Sequence, residues 1–473
     1  MRTAFVGALA LMLTGTCSAQ QADMRVTIDR AIPVAGEAVT VGCRYFPDSP
    51  SNVGFSFEVT REATGETSVL GGHAGTEQPD GSRWGSVDWT PRHDGLHTLR
   101  AMMAVGEDRV AERQVWVVRH PLHFIWYGSG PELRYATAIT PEGPAELLRL
   151  WRDRGVKLLD WKGAKGENAE ALAGGWMKFG ELDGIAIDEI GGYDRDPASQ
   201  ERKHIALDAL QIFAEGRPDA MLAVWNAGSL TAPAANAYRK YADVVMLEAY
   251  RQYIRGAFGT HSFYDYLDQR IRMARQIDVL RKAVIGLGIT NARGGVTRAE
   301  IIRSIEHIRL TGPEMPGIAW FRHAGPERVE PEILRTADEA ALRYFIRPCL
   351  MVRAWDLQFV PGNPGRLCVN VHNIGGMDAT PVSVAFYAGD PERGGELIGR
   401  RDNVGVHAAR GWSEQMESLP PEEARSRAYG VREVSAPWSP EADATDVWVR
   451  IHAPGATVLA DVAHRRMATP RGW

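Results

Sequence analysis

Cysteine is scarce in this 473-residue chain, which holds four: Cys17, Cys43, Cys349 and Cys368. A disulfide scaffold is therefore excluded; once a leader carrying Cys17 is removed, at most one intrachain bond can form, with Cys349 and Cys368 the nearer pair. Long basic runs are missing too, and the net charge is −5, so no row of phosphates would be neutralised and nucleic acid is not an expected partner. No strand is followed by a Gly-x-Gly-x-x-Gly turn, and Gly-x-Ser-x-Gly, His-Glu-x-x-His and Cys-x-x-Cys do not occur. These absences disfavour a dinucleotide site, a serine-hydrolase elbow, a zinc protease and a dithiol redox centre. No cofactor is expected, and no metal ligands are assigned. Beyond the first residues nothing approaches the roughly 20 apolar residues needed to span a bilayer.

What is present begins with an export signal. Arg2 precedes an apolar run from Ala4 to Leu13, and small residues end at Cys17-Ser18-Ala19. This reads as a cleaved signal peptide over residues 1–19, placing the mature chain outside the cell or in the periplasm. Lipoprotein signals carry Gly or Ala where Thr16 stands, so a lipid anchor is not expected.

With 44% hydrophobic residues, the chain exceeds the roughly 250–300 residues at which a single core stops growing, and several domains are expected. Over 20–119, runs such as AVTVGCRY, FSFEVT and LHTLRAMMAV alternate apolar with polar residues between turns such as Gln78-Pro79-Asp80-Gly81, which predicts an Ig-like β-sandwich. Over 120–346, strand-like runs alternate with amphipathic stretches: HFIWYG, VKLLDWKG, GIAIDEI, LAVWNAG, VVMLEAY, VIGLGIT and IAWFRHAG, with YATAIT a weaker eighth. Seven or eight βα units in this length fit a (β/α)8 TIM-like barrel, which takes about 250 residues. Helix signals agree: Thr140-Pro141 opens one helix that Gly155 closes, and Thr297 with Glu300 makes a capping box. Over 347–473, RLCVNVHNIGG, PVSVAFYAG and DVWVRIHA predict a second β-sandwich.

In such a barrel the reacting groups come from the C-terminal ends of the strands. Those ends carry Asp188 and Glu189, Asn226, Glu248, then Trp320, Arg322 and His323, with Asp160, Trp161 and Lys162 on an earlier strand. Counting alternation back from these ends puts Ala186 with Asp188, Val224 with Asn226, and Met246 with Glu248 on the barrel side. Asp188 and Glu248 then form the carboxylate pair that glycosidic cleavage requires, one to protonate the leaving oxygen and one to act as nucleophile or base. Trp225, Met246 and Tyr250 would supply an apolar surround that keeps Glu248 protonated. Asn226 is a candidate for fixing a sugar hydroxyl or one carboxylate, Trp126, Trp161 and Trp320 offer flat faces for sugar rings, and Tyr250 and Arg322 join them as substrate-binding candidates. Glu189 is carried with them as a substrate-binding candidate, although its opposite parity suits a salt bridge or a helix start better. For any one of these residues, capping a loop or filling the core is the competing role.

At the same residues the chain resembles the spherulin-type glycoside hydrolases and their relatives that cut galactosamine-containing exopolysaccharides. Their Asp-Gly-Ile-x-x-Asp-Glu strand corresponds to Asp183-Gly184-Ile185-Ala186-Ile187-Asp188-Glu189, followed by Trp225-Asn226 and by Asp243-Val244-Val245-Met246-Leu247-Glu248. The family's Asn-Pro-Gly is Asn226-Ala227-Gly228 here. The resemblance implies Asp188 and Glu248 as catalytic carboxylates, Asn226 as a substrate-positioning residue, a hexosamine-containing polysaccharide or oligosaccharide as substrate, and no cofactor. The stretch VNVHNIGGMDATPVSVAFYAGD resembles the adhesion-related sandwich modules of bacterial surface proteins, which implies a glycan or cell-surface association. Two other readings stay open: a non-catalytic surface protein whose barrel binds a glycan, and a chitinase-like enzyme acting on N-acetylated β-linked sugars.

Overall fold

The computed structural model describes residues 24–47, 53–103, 109–127, 133–141, 143–190, 197–227, 230–250, 262–289, 296–321, 329–362, 364–410, 416–439 and 444–468. The leader at 1–19, Arg322 and His323 lie outside them. The chain divides into two compact units, Met1–Val117 with Arg152–Gly155, and Val118–Trp151 with Val156–Trp473.

The first unit is built from alternation. In the strand Gly54–Arg61, Phe55, Phe57 and Val59 are buried while Ser56, Glu58 and Thr60 are turned the other way, as a pleated strand requires. Two four-stranded antiparallel sheets result. One runs in the order 24–28, 39–45, 83–89, 76–77, and the other 66–74, 54–61, 95–103, 110–117. Val26, Val41, Phe57, Leu99 and Val115 from both sheets fill one core.

The second unit starts with a closed parallel barrel. Its strands are β1 (His123–Tyr127), β2 (Ala138–Ile139), β3 (Lys157–Gly163), β4 (Gly184–Asp188), β5 (Met221–Asn226), β6 (Val244–Ala249), β7 (Ala283–Gly288) and β8 (Gly317–Phe321). Each pairs with the next, and β8 pairs with β1 to close the ring. The run YATAIT does form a strand, but only its two residues in β2 are paired on both sides. The helices that follow are α1 (Ala145–Asp153), α2 (Ala169–Trp176), α3 (Pro197–Gly216), α4 (Ala232–Tyr241), α5 (Phe263–Gln276), α6 (Arg298–Thr311) and α7 (Pro331–Ala341). None described is long and apolar enough to cross a membrane.

Local chemistry explains these boundaries. The capping box on α6 is formed: Thr297 Oγ1 accepts from Glu300 N at 3.2 Å, and the Glu300 carboxylate accepts from Thr297 N at 2.9 Å. The Thr140-Pro141 start is displaced, since α1 begins at Ala145, where the Pro144 carbonyl takes the first helical N–H, that of Leu147, at 3.0 Å. At the strand entrances one device is used twice. Asp183 Oδ2 accepts from Leu158 N at 2.8 Å, and Asp243 Oδ2 accepts from Leu222 N at 2.8 Å. Each ties a strand to its neighbour where the ladder begins. Gly184 lets β4 and β5 approach there, because a Cβ on it would lie 2.0 Å from the Met221 carbonyl oxygen.

After α7 a π-helical turn, Leu342–Ile346, leads into the C-terminal sheets. One sheet runs 357–360, 365–373, 349–351, 457–460, with 431–438 also on 365–373; the other runs 396–406, 379–388, 444–452, 462–468. Val369, Val371, Val384, Phe386, Val447 and Val449 pack between them. These sheets meet the end of the barrel opposite the strand C-termini. Arg119 N, ahead of β1, donates to the Gly376 carbonyl at 2.7 Å, and the Arg119 guanidinium pairs with Asp378 at 3.1 Å. Arg309, at the C-terminal end of α6 and 1% exposed, lies over the Phe345 ring at 4.5 Å and donates to the carbonyls of Met315 and Ile374. Cys43, Cys349 and Cys368 are buried free thiols, so the Cys349–Cys368 bond that the sequence permits is not made. Burial pushes the Cys43 thiol up to about 12 and that of Cys349 to about 11.

Candidate active site

Inside the barrel, Ile125, Tyr127, Ala138, Leu159, Ala186, Ala223, Trp225, Val244, Met246, Val284 and Ala319 form one buried cluster with Tyr250. Alternation from these residues fixes which way each strand end points. On β4, Ala186 is inside, so Asp188 faces the mouth. On β6, Val244 and Met246 are inside and Tyr250 follows in phase, so Glu248 faces it too. Both carboxylates are half-buried. They stand on strands separated by β5, about 9–10 Å apart at the backbone by the usual strand spacing.

Strand β5 has the opposite phase from the one expected. Ala223 and Trp225 point inward, so Val224 and Asn226 face the helices. Asn226 is fully buried and its amide is saturated: Nδ2 donates to the Ile190 carbonyl at 3.0 Å and to Tyr238 Oη at 3.2 Å, and Oδ1 accepts from Arg270 at 2.8 Å. It does not face a substrate. The physical reason lies across the barrel on β7, where Gly286 leaves the space that the Trp225 ring fills; a Cβ there would come within 2.6 Å of the indole.

The same test separates the proposed platforms. Trp126 alternates with inward Ile125 and Tyr127, and Trp320 with inward Ala319 and Phe321; both tryptophans are buried on the helix side, 2% and 1% exposed. Neither can stack on a sugar. Trp161 is 59% exposed at the end of β3, edge-on to Tyr127 at 6.5 Å. Tyr250 is buried within an aromatic floor that the residue pattern alone did not bring together. Tyr127 stacks on Trp225 at 4.5 Å, Trp225 on Tyr250 at 5.9 Å, and Tyr250 on Phe321 at 4.6 Å. Runs with two adjacent aromatics, such as Trp126-Tyr127 and Trp320-Phe321, can turn only one of them inward. The small residues of the same phase, Ala319 above all, were the signal for which.

This floor sets the electrostatics. Burial pushes the Glu248 carboxyl up to about 7, helped by the charges of Glu189 and Asp188 and opposed by Arg270 and the Trp225 indole N–H. Burial also raises Asp188, but the Tyr127 hydroxyl and the Trp161 indole N–H beside it favour its ionised form. The Tyr127 hydroxyl is buried, and its approach to Asp188 is looser than a closed hydrogen bond. Its own ionisation is pushed far up by burial and by that neighbouring charge. Glu189 is exposed and left-handed, with φ 52°, a conformation uncommon for a residue with a side chain. Its charge raises both Asp188 and Glu248. Asp160 pairs with Lys162 at 2.6 Å, and Lys162 donates to the Lys178 carbonyl at 3.0 Å, outside this group. Among the described residues, no three or more His, Cys, Asp or Glu are gathered as metal ligands.

The architecture is thus a closed eight-stranded parallel barrel, preceded and followed along the chain by antiparallel sheets. No family model matches the sequence, and no curated protein matches it. Solved structures do. The cell-surface-expressed multi-modular chitinase ChiW from Paenibacillus sp. str. FPU-7 is 12% identical over 96% of this chain and 52% of its own, with a TM-score of 0.37. The PgaB (BpsB) glycoside hydrolase domain from Bordetella bronchiseptica is 11% identical over 48% of this chain and 99% of its own, with a TM-score of 0.32. A CARDB domain from Pyrococcus furiosus, in complex with di-metal ions, is 17% identical over 20% of this chain and 88% of its own, with a TM-score of 0.16. The chain therefore spans about half the length of the chitinase chain that it matches.

Proposed function

We propose that the barrel mouth hydrolyses glycosidic bonds in a hexosamine-containing exopolysaccharide, with Glu248 as general acid and Asp188 as nucleophile or electrostatic partner, and that the chain is exported by its leader. The observation that carries this reading is the pair of inward carboxylates on β4 and β6 in unequal surroundings. Glu248 keeps its proton to about 7 above an aromatic floor, while Asp188, also raised by burial, has the Tyr127 hydroxyl and the Trp161 indole N–H beside it to favour its charge. Such a divergence assigns acid and base roles. Glu248 gives its proton to the glycosidic oxygen as the bond to the anomeric carbon breaks. The positive charge that develops on the sugar ring meets the Asp188 carboxylate, and water completes the reaction. Trp161, exposed beside Asp188, offers its ring face to a sugar.

The test is release of new reducing ends from bacterial and fungal exopolysaccharides, including partly de-N-acetylated and fully N-acetylated hexosamine polymers. Asp188→Asn and Glu248→Gln should each lower the rate at least about 10³-fold, the combined scale of proton transfer and charge stabilisation. Cleavage that survives both changes would overturn the site. Glycan binding without cleavage by the parent would make the barrel a binding protein instead.

A further inference from the structure

The structure assigns Asn226 and Arg270 a shared role as a buried positioning pair, which holds the ends of the two carboxylate-bearing strands and fixes a cation behind Glu248 without touching substrate. Arg270 lies on α5 and is 3% exposed; its Nη2 donates to the Asn226 carbonyl at 2.6 Å and to Asn226 Oδ1 at 2.8 Å. The other half of the amide reaches the opposite way. Asn226 Nδ2 donates to the carbonyl of Ile190, two residues beyond Asp188, and Ile190 N donates back to the Trp225 carbonyl at 3.0 Å. The segment that leaves β4, with Glu189 in its left-handed conformation, is therefore clamped to the end of β5 from both sides. The same α5 also supports Glu248, because Tyr266 Oη donates to the Glu248 carbonyl at 3.2 Å. Arg270 stands 6.0 Å over the Tyr266 ring.

An Asn suits this position because it is neutral and carries both a donor pair and an acceptor on one short side chain. An Asp would keep the acceptor for Arg270 while adding a charge that neutralises it. A Leu of similar size would take the side-chain acceptor from the guanidinium and the side-chain donor from the Ile190 carbonyl, and buried hydrogen bonds lost in this way are costly. The charged and titratable groups that act on Glu248 among the described residues are Asp188 at the end of β4 and Glu189 just beyond it, Tyr250 just past its own strand, and Tyr266 and Arg270 from α5. Arg270 is the one cation of that set. Its removal or neutralisation leaves Glu248 facing carboxylates without a cationic counterweight.

This inference rests on Glu248 being the acid of the proposed reaction, so its test uses no substrate. Carbodiimide couples to protonated carboxyls, and the pH at which labelling of the Glu248 peptide falls to half is read by mass spectrometry. The parent should give a midpoint near 7. Arg270→Gln and the isosteric Asn226→Asp should each raise it by about half a pH unit or more, the direction in which loss of a nearby cation moves a carboxyl. Arg270→Lys, which keeps the charge, should restore it to within a few tenths. A purely structural role would lower the unfolding temperature in all three and leave the midpoint where it was, and that result would overturn the inference. If Arg270→Gln does not fold, Asn226→Asp decides alone. A parent midpoint near 4.5 with no cleavage of any glycan would remove the hydrolase reading. Shifted midpoints without cleavage would leave the positioning pair standing and remove only the reaction.

Discussion

Replacing Glu248 with Gln should stabilise the protein, and by an amount that depends on pH. The carboxyl is raised from 4.5 to about 7 in the folded chain, a difference of about 2.5 units and a ceiling of about 3.4 kcal/mol at 1.36 kcal/mol per unit. Because the group is half-buried, solvent screening leaves roughly 1–2 kcal/mol of that. Between the two values the folded state holds a proton that the unfolded state has released. The Glu248 contribution is therefore intact below about 4.5, and is lost progressively as pH rises through about 7. Gln keeps the volume and has no charge to bury, so the variant and parent should melt together at pH 4.5 and separate at pH 8. For a unit of barrel size, about 2–4 °C per kcal/mol gives a gain of roughly 2–8 °C at pH 8. Differential scanning calorimetry at the two pH values reads this directly. An offset of the same size at both would refute the argument that a buried proton at Glu248 is what the aromatic floor maintains.

Four further outcomes follow from the same geometry. Gly286→Ala should cost about 1–3 kcal/mol of stability, since its Cβ would sit 2.6 Å from the Trp225 ring, whereas Gly175→Ala, on an exposed stretch of α2 with nothing within 4 Å, should gain about 0.5–1 kcal/mol; equal denaturation midpoints for the two would contradict the packing. The pH dependence of kcat/KM should be bell-shaped, falling above about 7 as Glu248 loses its proton and falling on the acid side above the ordinary carboxylate range, because Asp188 is raised; a rate that keeps rising to pH 9 would exclude Glu248 as the acid. Trp161→Ala should weaken substrate binding roughly 3–10-fold, in line with about 0.5–1.5 kcal/mol for aromatic stacking, with little change in melting because the ring is 59% exposed; unaltered binding would remove it as a platform. Asp378, raised by its burial yet brought down to about 2 by bonds from His407 and Ala408 N and by the Arg119 charge, should add stability that is present above its unfolded value near 3.8 and fades as pH falls toward 2, so Asp378→Asn should narrow the gap to parent on acidification when followed by urea titration.

The alternation of apolar and polar residues made the sheets legible, and the recurrence of short apolar runs between amphipathic stretches made the barrel legible, down to the weak strand at Ala138–Ile139. Asp188 and Glu248 were legible as mouth residues because a half-buried carboxylate ending an apolar strand has few other places to go. The phase of β5 was not. Every residue from Leu222 to Trp225 is apolar, so the run itself carries no period, and the polar Asn226 suggested the wrong face. What decided it was the space left at Gly286, two strands away on β7, a long-range fact that no window around Asn226 contains. Trp126 and Trp320 failed as platforms for the same reason: in a doubly covered parallel strand both faces are apolar, and a tryptophan fits the helix layer as well as the interior. The left-handed backbone at Glu189, which ends the strand abruptly, was not legible either, because strain of this kind is not written in residue type.

Arg309 bears on how such a chain can be rearranged over evolutionary time or in the laboratory. Its guanidinium is satisfied partly by Met315 within the barrel and partly by Ile374 in the C-terminal sheets, so the boundary near residue 347 is a cut through the solvation of a buried charge. Exchanging the terminal module for one that covers the site without an acceptor would take the Ile374 carbonyl from that charge, a loss on the order of 1.5–3 kcal/mol for a hydrogen bond to a charged group. Shuffling there is consequently not neutral. A foreign module could be grafted onto this barrel only if it brought a carbonyl to the same spot, or if Arg309 were first replaced by an apolar residue, and the two halves are in that sense inherited together.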